Sequence, residues 1–368
     1  MTRTKNRKMR TLTFVLLTIT CIAAFATIIA LTNDSDEYFS EQWYFHENKA
    51  SKSDQKGDLY NSEVIAGIKD VRAGTKSEKG EDTVVAVIDT LVDWSHEDWG
   101  GNAWKNQDEM PNDDIDNDKN GYIDDCFGYN FLVGKGITRL KPTNPGAHGT
   151  AIAGVICAKL HNKKGIEGIT GNAHVTIMNL VVLDPYTTEG NLESLIAAIE
   201  YAETNGASIC NISSNYERTS AELSKTIQQS QMLFVVSAGN RSTLGVSIDE
   251  VVNIPAMYNF QNVITVSAFT QEQRILRQAN YGPNTVDIVA PGDEILAPIP
   301  GNQYAYFSGS SISTPMVTGL AALLDQCANG ISAQKLKIQV LSMASTDADF
   351  ENKIKGGAFL QFPESIFQ

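Results

Sequence analysis

The sequence predicts an α/β protein, a mainly parallel sheet with helices on both faces. Three observations lead there. Short β-branched runs recur as continuous apolar segments, the pattern of strands buried on both sides. Stretches with helical spacing lie between them, so strand and helix alternate along the chain. Of 368 residues, 42% are hydrophobic and 20% charged, which supplies a large core and argues against a mainly disordered chain.

In chain order, residues 1–33 are a basic head and an uncharged run. Arg3, Lys5, Arg7, Lys8 and Arg10 precede residues 11–33, which carry no charge. As a helix this run is about 34 Å long, enough to cross a bilayer. Cations before it and Asp34, Asp36 and Glu37 after it predict the N-terminus inside and the body outside. An uncleaved membrane anchor and a signal peptide cut near Ala24-Phe25-Ala26 both fit, and either gives an extracytoplasmic body. Residues 34–368 read as one body, with an N-terminal extension (34–80) whose polar stretch 47–58 is a loop. The first strand is TVVAVI at 83–88, followed by an acidic loop at 108–125. Further strands are expected at 175–182, 208–212, 233–237 and 263–267. Helices are expected at 148–160, 191–205, 221–231, 311–327 and 332–343.

The charge balance, 29 Lys and Arg against 43 Asp and Glu, leaves a net charge of −14. Nucleic acid is thereby excluded as a partner, since no surplus of cations exists to neutralise phosphates. Cys21 lies in the apolar run; Cys126, Cys157, Cys210 and Cys327 read as core thiols, and no Cys/His cluster suggests zinc.

Four segments hold candidate chemistry. Asp89 ends the first buried strand, where α/β sheets carry functional groups. His148 opens an apolar helix rich in small residues (Ala151, Ala153, Gly154). The serine-rich turn from Phe307 to Pro315 opens another helix, with Pro315 tolerated in a first turn whose N–H groups lack partners. Asn240 follows the strand 233–236 and offers an amide that can donate to a developing oxyanion. Together they supply a nucleophile, a base, an orienting carboxylate and an oxyanion donor, the requirement for acyl transfer.

These motifs resemble those of the subtilisin-like serine peptidases, whose triad runs Asp, His, Ser along the chain. AVIDTLVD (86–93) resembles the aspartate motif, HGTAIAGVI (148–156) the histidine motif, SAGN (237–240) the oxyanion motif and GSSISTPMVTG (309–319) the serine motif. FSEQWYFH (39–46), IPAMYNFQNVITVSA (254–268) and VDIVAPGDEI (286–295) also read as family sequence. The resemblance implies a three-layer subtilisin-like fold. It also implies an Asp89–His148–Ser311 triad, with an oxyanion site from the Asn240 side chain and the Ser311 N–H. No separate inhibitory pro-domain is expected before Phe39. Three departures stand out. Leu91 occupies a position usually held by glycine, Ser310 replaces a threonine and Ser313 an alanine. The substrate-binding strand, usually Ser-x-Gly-Gly, is here Ser213-Ser214-Asn215-Tyr216, which with Gly239 borders the primary specificity pocket. Asn215 and Tyr216 are expected to narrow it, favouring a selective processing peptidase.

Within the acidic loop, Asp116, Asp118, Asn120, Gly121, Tyr122 and Asp124 follow calcium-loop order, though Phe127 stands where a closing glutamate belongs. Asp116, Asp118, Asn120, Tyr122 and Asp124 are therefore the candidate ligands of a structural Ca²⁺, with Asp125 or Asp114 as candidates to complete the shell. The expected protein is an exported, membrane-tethered, monomeric serine endopeptidase acting on peptides. The alternative is an inactive scaffold of the same fold that binds peptides without cutting them.

Overall fold

The structure is a computed structural model. It describes residues 35–46, 62–75, 77, 80–328, 330–362 and 364–367. The basic head and the apolar run expected to meet the membrane lie outside these. Among the described residues no helix is long and apolar enough to cross a membrane.

The sheet grows from β1 (Thr83–Asp89), β4 (Val175–Val181), β5 (Ile209–Ile212), β6 (Leu233–Ser237) and β7 (Val263–Phe269). Neighbours pair in parallel, with β1 between β4 and β5 and the order running on through β6 and β7. β8 (Ile288–Pro291) adds to β7, again parallel. The short β2 (Gly128–Asn130) and β3 (Lys135–Gly136) extend one edge, and β11 (Ser345–Thr346) and β12 (Ala358–Phe359) the other, giving ten strands among the described residues. β9 (Ile295–Ile299) and β10 (Gln303–Phe307) form a separate antiparallel hairpin.

Side chains alternate across this sheet as the pleat requires. Val85, Val87, Ile177, Ile209, Leu233, Val235 and Ile264 enter one core. Ala86, Ile88, Met178, Leu180, Cys210, Ile212, Phe234 and Val236 enter the other. Over the first core lie α1 (Ser62–Arg72), α2 (Ala147–Cys157), α5 (Ser310–Cys327) and α6 (Ala333–Ser342). Over the second lie α3 (Leu192–Thr204) and α4 (Ala221–Gln229). The result is the expected three layers. α5 is buried along almost its whole length and packs against β1, β5, β6, β7 and β8.

The N-terminal extension belongs to the same core. Tyr44, Phe45, Ile68 and Val71 are buried in it. Phe45 stacks on Phe367 of the terminal α7 (Glu364–Phe367) at 4.1 Å. Arg72 donates to Glu167 at 2.9 Å, both side chains buried, and its guanidinium lies 4.4 Å from the Phe367 ring centroid. Cys126, Cys157 and Cys210 are buried thiols, and Cys327 is partly buried.

Candidate active site

Asp89 is the last residue of β1 and fully buried. Its Oδ1 accepts from the Thr90 N–H at 2.7 Å, and its two oxygens lie 2.8 and 2.9 Å from His148 Nδ1. His148 is the second residue of α2. The helix is fixed against the β1 end because Thr90 Oγ1 accepts from the Gly149 N–H at 2.8 Å and Leu91 O from the Gly146 N–H at 2.7 Å. Asn179, buried within β4, holds the same turn: it donates to Thr90 O and accepts from the Val92 N–H. Leu91 is not among the residues in the left-handed region, so this turn has no need of glycine there. Burial pulls the His148 pKa down, but the Asp89 charge and hydrogen bond outweigh it, and the net shift is upward.

Ser311 is the second residue of α5, which begins at Ser310, one residue before the expected start. Pro315 is therefore inside the helix. It has no N–H to give the carbonyl four residues back, that of Ser311. The Ser213 hydroxyl replaces it, donating to Ser311 O at 3.0 Å. Ser213 Oγ in turn accepts from Asn211 Nδ2 at 3.1 Å, and Asn211 Oδ1 accepts from Thr318 on α5. Ser313 donates to the Ala290 and Pro291 carbonyls, which ties the helix start to the end of β8.

Asn240 is exposed at the carboxyl end of β6. Its Oδ1 accepts from the Ser310 N–H at 2.9 Å and from Ser310 Oγ at 3.2 Å. The serine standing in for threonine thus keeps the hydrogen bond, and Ser310 Oγ also lies 2.8 Å from Ser237 Oγ. With its oxygen engaged, the amide presents Nδ2. The Ile312 and Ser313 N–H groups turn to Gly309 O. The Ser311 N–H, in a first turn without intrahelical acceptors, is left for a group in the cleft. Gly309 has φ +146°, and a Cβ there would sit 3.0 Å from Asn240 Nδ2, so glycine keeps this donor clear.

His148, Asn240 and Ser311 line one cleft of about 330 Å³. Ser213, Ser214, Asn215 and Gly239 line it too, as their place in the substrate-binding segments implies. Asn215 donates to Ser237 O at 2.7 Å, tying one wall to the other. Tyr216 does not line the cleft. Its N–H and C=O pair with Ile254, and its ring packs against the second core. The expected narrowing therefore falls to Asn215 alone. Asn253 and Asn280 also line the cleft, as do Glu217 and Arg241, which form an ion pair. None of these four is foreshadowed by a motif.

The acidic loop is tied by its own side chains. Asp116 accepts from the Asn120 and Gly121 N–H groups, Asn120 Oδ1 from the Tyr122 N–H and Asp124 from the Asp113 N–H. Of the ligands at calcium-loop positions, the structure gathers only Asp118 into a carboxylate cluster. It joins Glu109 and Asp125, with one oxygen of each within 4.8 Å of the others. Glu109 Oε1 accepts from the Asn117 and Asp118 N–H groups, while the buried Oε2 has no partner.

This geometry can perform acyl transfer. The Ser311 hydroxyl at the start of α5, the His148 imidazole on α2 held by the buried Asp89, and the Asn240 amide beyond β6 line one cleft, the set of groups that this chemistry requires. Comparison with known proteins agrees with it. A thermophilic serine proteinase of Bacillus sp. (strain AK1) is 33% identical over 253 residues, covering 68% of this chain and 53% of that protein. Subtilisin-like protease 1 of Plasmodium berghei (strain Anka) is 26% identical over 348 residues, covering 86% of this chain and 56% of that protein. The chain thus spans about half the length of these relatives. An intracellular serine protease of Paenibacillus polymyxa is 31% identical over 278 residues, 73% of this chain and 74% of that protein. In fold, a cold-adapted subtilisin-like serine proteinase superposes with a TM-score of 0.60 at 23% identity, over 78% of this chain and 92% of that one. The profile of the subtilase family matches residues 80–357, which hold all four motifs and the cleft they build, and the chain belongs to that family.

Proposed function

We propose that the protein is a serine endopeptidase in which Ser311 attacks the peptide carbonyl, His148 takes its proton and returns one to the leaving amine, and Asp89 orients and stabilises the imidazolium. Asn240 Nδ2 and the Ser311 N–H receive the oxyanion. The observation that carries this reading is the hydrogen bond of the buried Asp89 to His148 in the cleft lined by Ser311. An inactive scaffold would have no use for that dyad. A fluorophosphonate probe, whose phosphorus is attacked by an activated serine with loss of fluoride, should phosphonylate the protein at Ser311. Failure of the folded protein to react would favour the scaffold instead.

The base must be neutral to accept a proton, so activity requires deprotonated His148. Its raised pKa moves the acid limb of the profile upward. We expect kcat/KM to fall as pH drops, with a midpoint above the ordinary histidine value of about 6.5. A midpoint clearly below it would remove Asp89 from its role.

The cleft walls, braced by Asn215, support a selective processing peptidase. The basic head and the uncharged run at 11–33 support membrane tethering with the body outside the cytoplasm. For the metal, Glu109, Asp118 and Asp125 fit a structural calcium better than the local loop order does. They offer hard oxygens on one point, and Glu109 Oε2 is buried without a partner. Binding to the folded state alone would stabilise by about 2.7 kcal/mol at a hundredfold excess over Kd. Millimolar Ca²⁺ should therefore raise the Tm by several degrees. Glu109→Gln keeps the acceptor used by Asn117 and Asp118 and removes the free oxygen, so calorimetry of that variant should show the rise abolished. An undiminished rise would place the ion elsewhere.

A further inference from the structure

α5 keeps Ser311 in register, but the aim of its first turn, to a fraction of an ångström, depends on the residues that lead into it. These, 307–309, lie against the turn 292–294 that follows β8. The Gly309 N–H donates to Gly292 O at 2.8 Å, and the Gly292 N–H to Phe269 O at 3.1 Å. Ser308 Oγ donates to Asp293 Oδ1 at 2.8 Å and accepts from the Glu294 N–H at 2.9 Å. The fit is close, since a Cβ on Gly292 would lie 2.0 Å from Ser313 Oγ and 2.9 Å from Gly309 O. Gly309 in turn borders Asn240 Nδ2. A shift of the 292–294 turn would therefore pass to the nucleophile and to the oxyanion donor together.

That turn is held from the other side by the N-terminal segment. Trp43, half-buried, donates its indole N–H to Asp293 O at 3.1 Å. Its ring stands edge-to-face on Phe269, with centroids 6.1 Å apart. Trp43 thus touches both Asp293 and the residue whose carbonyl holds Gly292. The segment that carries it is firmly seated. Asp36 accepts from the His161 and Lys163 N–H groups, the Tyr38 N–H donates to Gly165 O, and the fully buried Gln42 exchanges two hydrogen bonds with the Glu167 backbone. We infer that Trp43 is a positioning residue for Ser311: its indole N–H pins the 292–294 turn, the turn aims the start of α5, and residues 35–46 act as a strap that completes the active site from behind. The inference rests on reading the site as a peptidase. The strap is also the segment that joins the basic head and the uncharged run to the body, so whatever unseats it should slow catalysis.

Trp43→Phe keeps an aromatic ring against Phe269 and removes the donor. A slightly misaimed nucleophile reacts slowly, while the cleft walls that bind the peptide are untouched. We expect kcat to fall about 10-fold with KM within about twofold of wild type, and the rate of fluorophosphonate labelling to fall with kcat, measured well below the Tm of both proteins. A part in packing alone would lower the Tm and leave both rates per folded molecule unchanged. Ser308→Ala frees the same turn at an exposed residue and should also lower kcat at constant KM. Because both substitutions act on one turn, their losses should be less than multiplicative in the double variant. The assignment falls if folded Trp43→Phe keeps kcat and labelling within about twofold of wild type, if its loss lies in KM alone, or if the two losses multiply. If Trp43→Phe does not fold, Ser308→Ala decides, and an unchanged kcat there overturns the role of the turn and of Trp43 with it. Wild-type protein that folds but neither labels nor cuts peptides refutes the peptidase; wild type that does both, beside an equally active Trp43→Phe, refutes only the strap.

Discussion

Ser311→Ala is expected to lower kcat by about 10⁶ while leaving the fold and peptide binding in place. That magnitude is the one known for the nucleophile of subtilisin itself and is carried over from that enzyme. The structural reason to expect an isolated loss is specific. The Ser311 carbonyl, which Pro315 leaves without a helical partner, is held by Ser213, and the side chain takes no part in that bond. Removing Oγ should therefore disturb neither α5 nor the N–H that faces the cleft. Steady-state kinetics, with thermal melts on both proteins, make the test. Peptide hydrolysis above a thousandth of the wild-type rate in a homogeneous Ser311→Ala preparation would show that another group attacks.

Asn240→Leu should cost about 10² to 10³ in kcat, roughly 3–4 kcal/mol of barrier, with KM little changed. The amide does two things at once. Its oxygen fixes the start of α5 through Ser310, and its nitrogen is thereby turned toward the cleft. Asn240→Asp keeps the acceptor but replaces the donor with a negative charge, so it should lose more than the leucine variant. Ser310→Ala removes one of the two bonds that orient the amide and should fall between wild type and Asn240→Leu. A kcat within threefold of wild type in Asn240→Leu would assign the oxyanion to other donors.

The parts legible in the sequence are those where local pattern and global burial agree. β1, β4, β5, β6 and β7 are continuous β-branched runs because helices cover both their faces, and their bounds come within two residues of expectation. The edge pieces were not legible, since β3 and β11 have two residues each and β10 is partly exposed. α1 was overlooked, although Ile65, Ile68 and Val71 have helical spacing and reach the core. The start of α5 was legible to within one residue, but the means by which it accommodates Pro315 was not, since the Ser213 hydroxyl that serves the Ser311 carbonyl is far away in sequence. Asn179 and Asn211 carried a readable signal, a polar residue inside an otherwise apolar strand. Asn253 and Asn280 carried none, since they lie in separate loops and only the fold brings them to Gly239. In the acidic loop the spacing does not by itself give the grouping of side chains, for a physical reason. Asp114, Lys119 and Asp124 adopt positive φ, and short-range bonds turn Asp116 and Asp124 onto backbone amides rather than toward one centre.

The burial of α5 bears on endurance. The residue expected to attack is not carried on a loop that can open by itself. It starts a helix whose remaining turns form the middle of the larger core and touch five strands of the sheet. Loops and termini open locally at small cost, whereas a segment of this kind exchanges with solvent only when the whole sheet comes apart. The reacting hydroxyl therefore shares the lifetime of the folded state. Heat or denaturant should leave it in register until the molecule unfolds as a unit, and no slack intermediate that retains the core but has lost the serine's position belongs to this architecture.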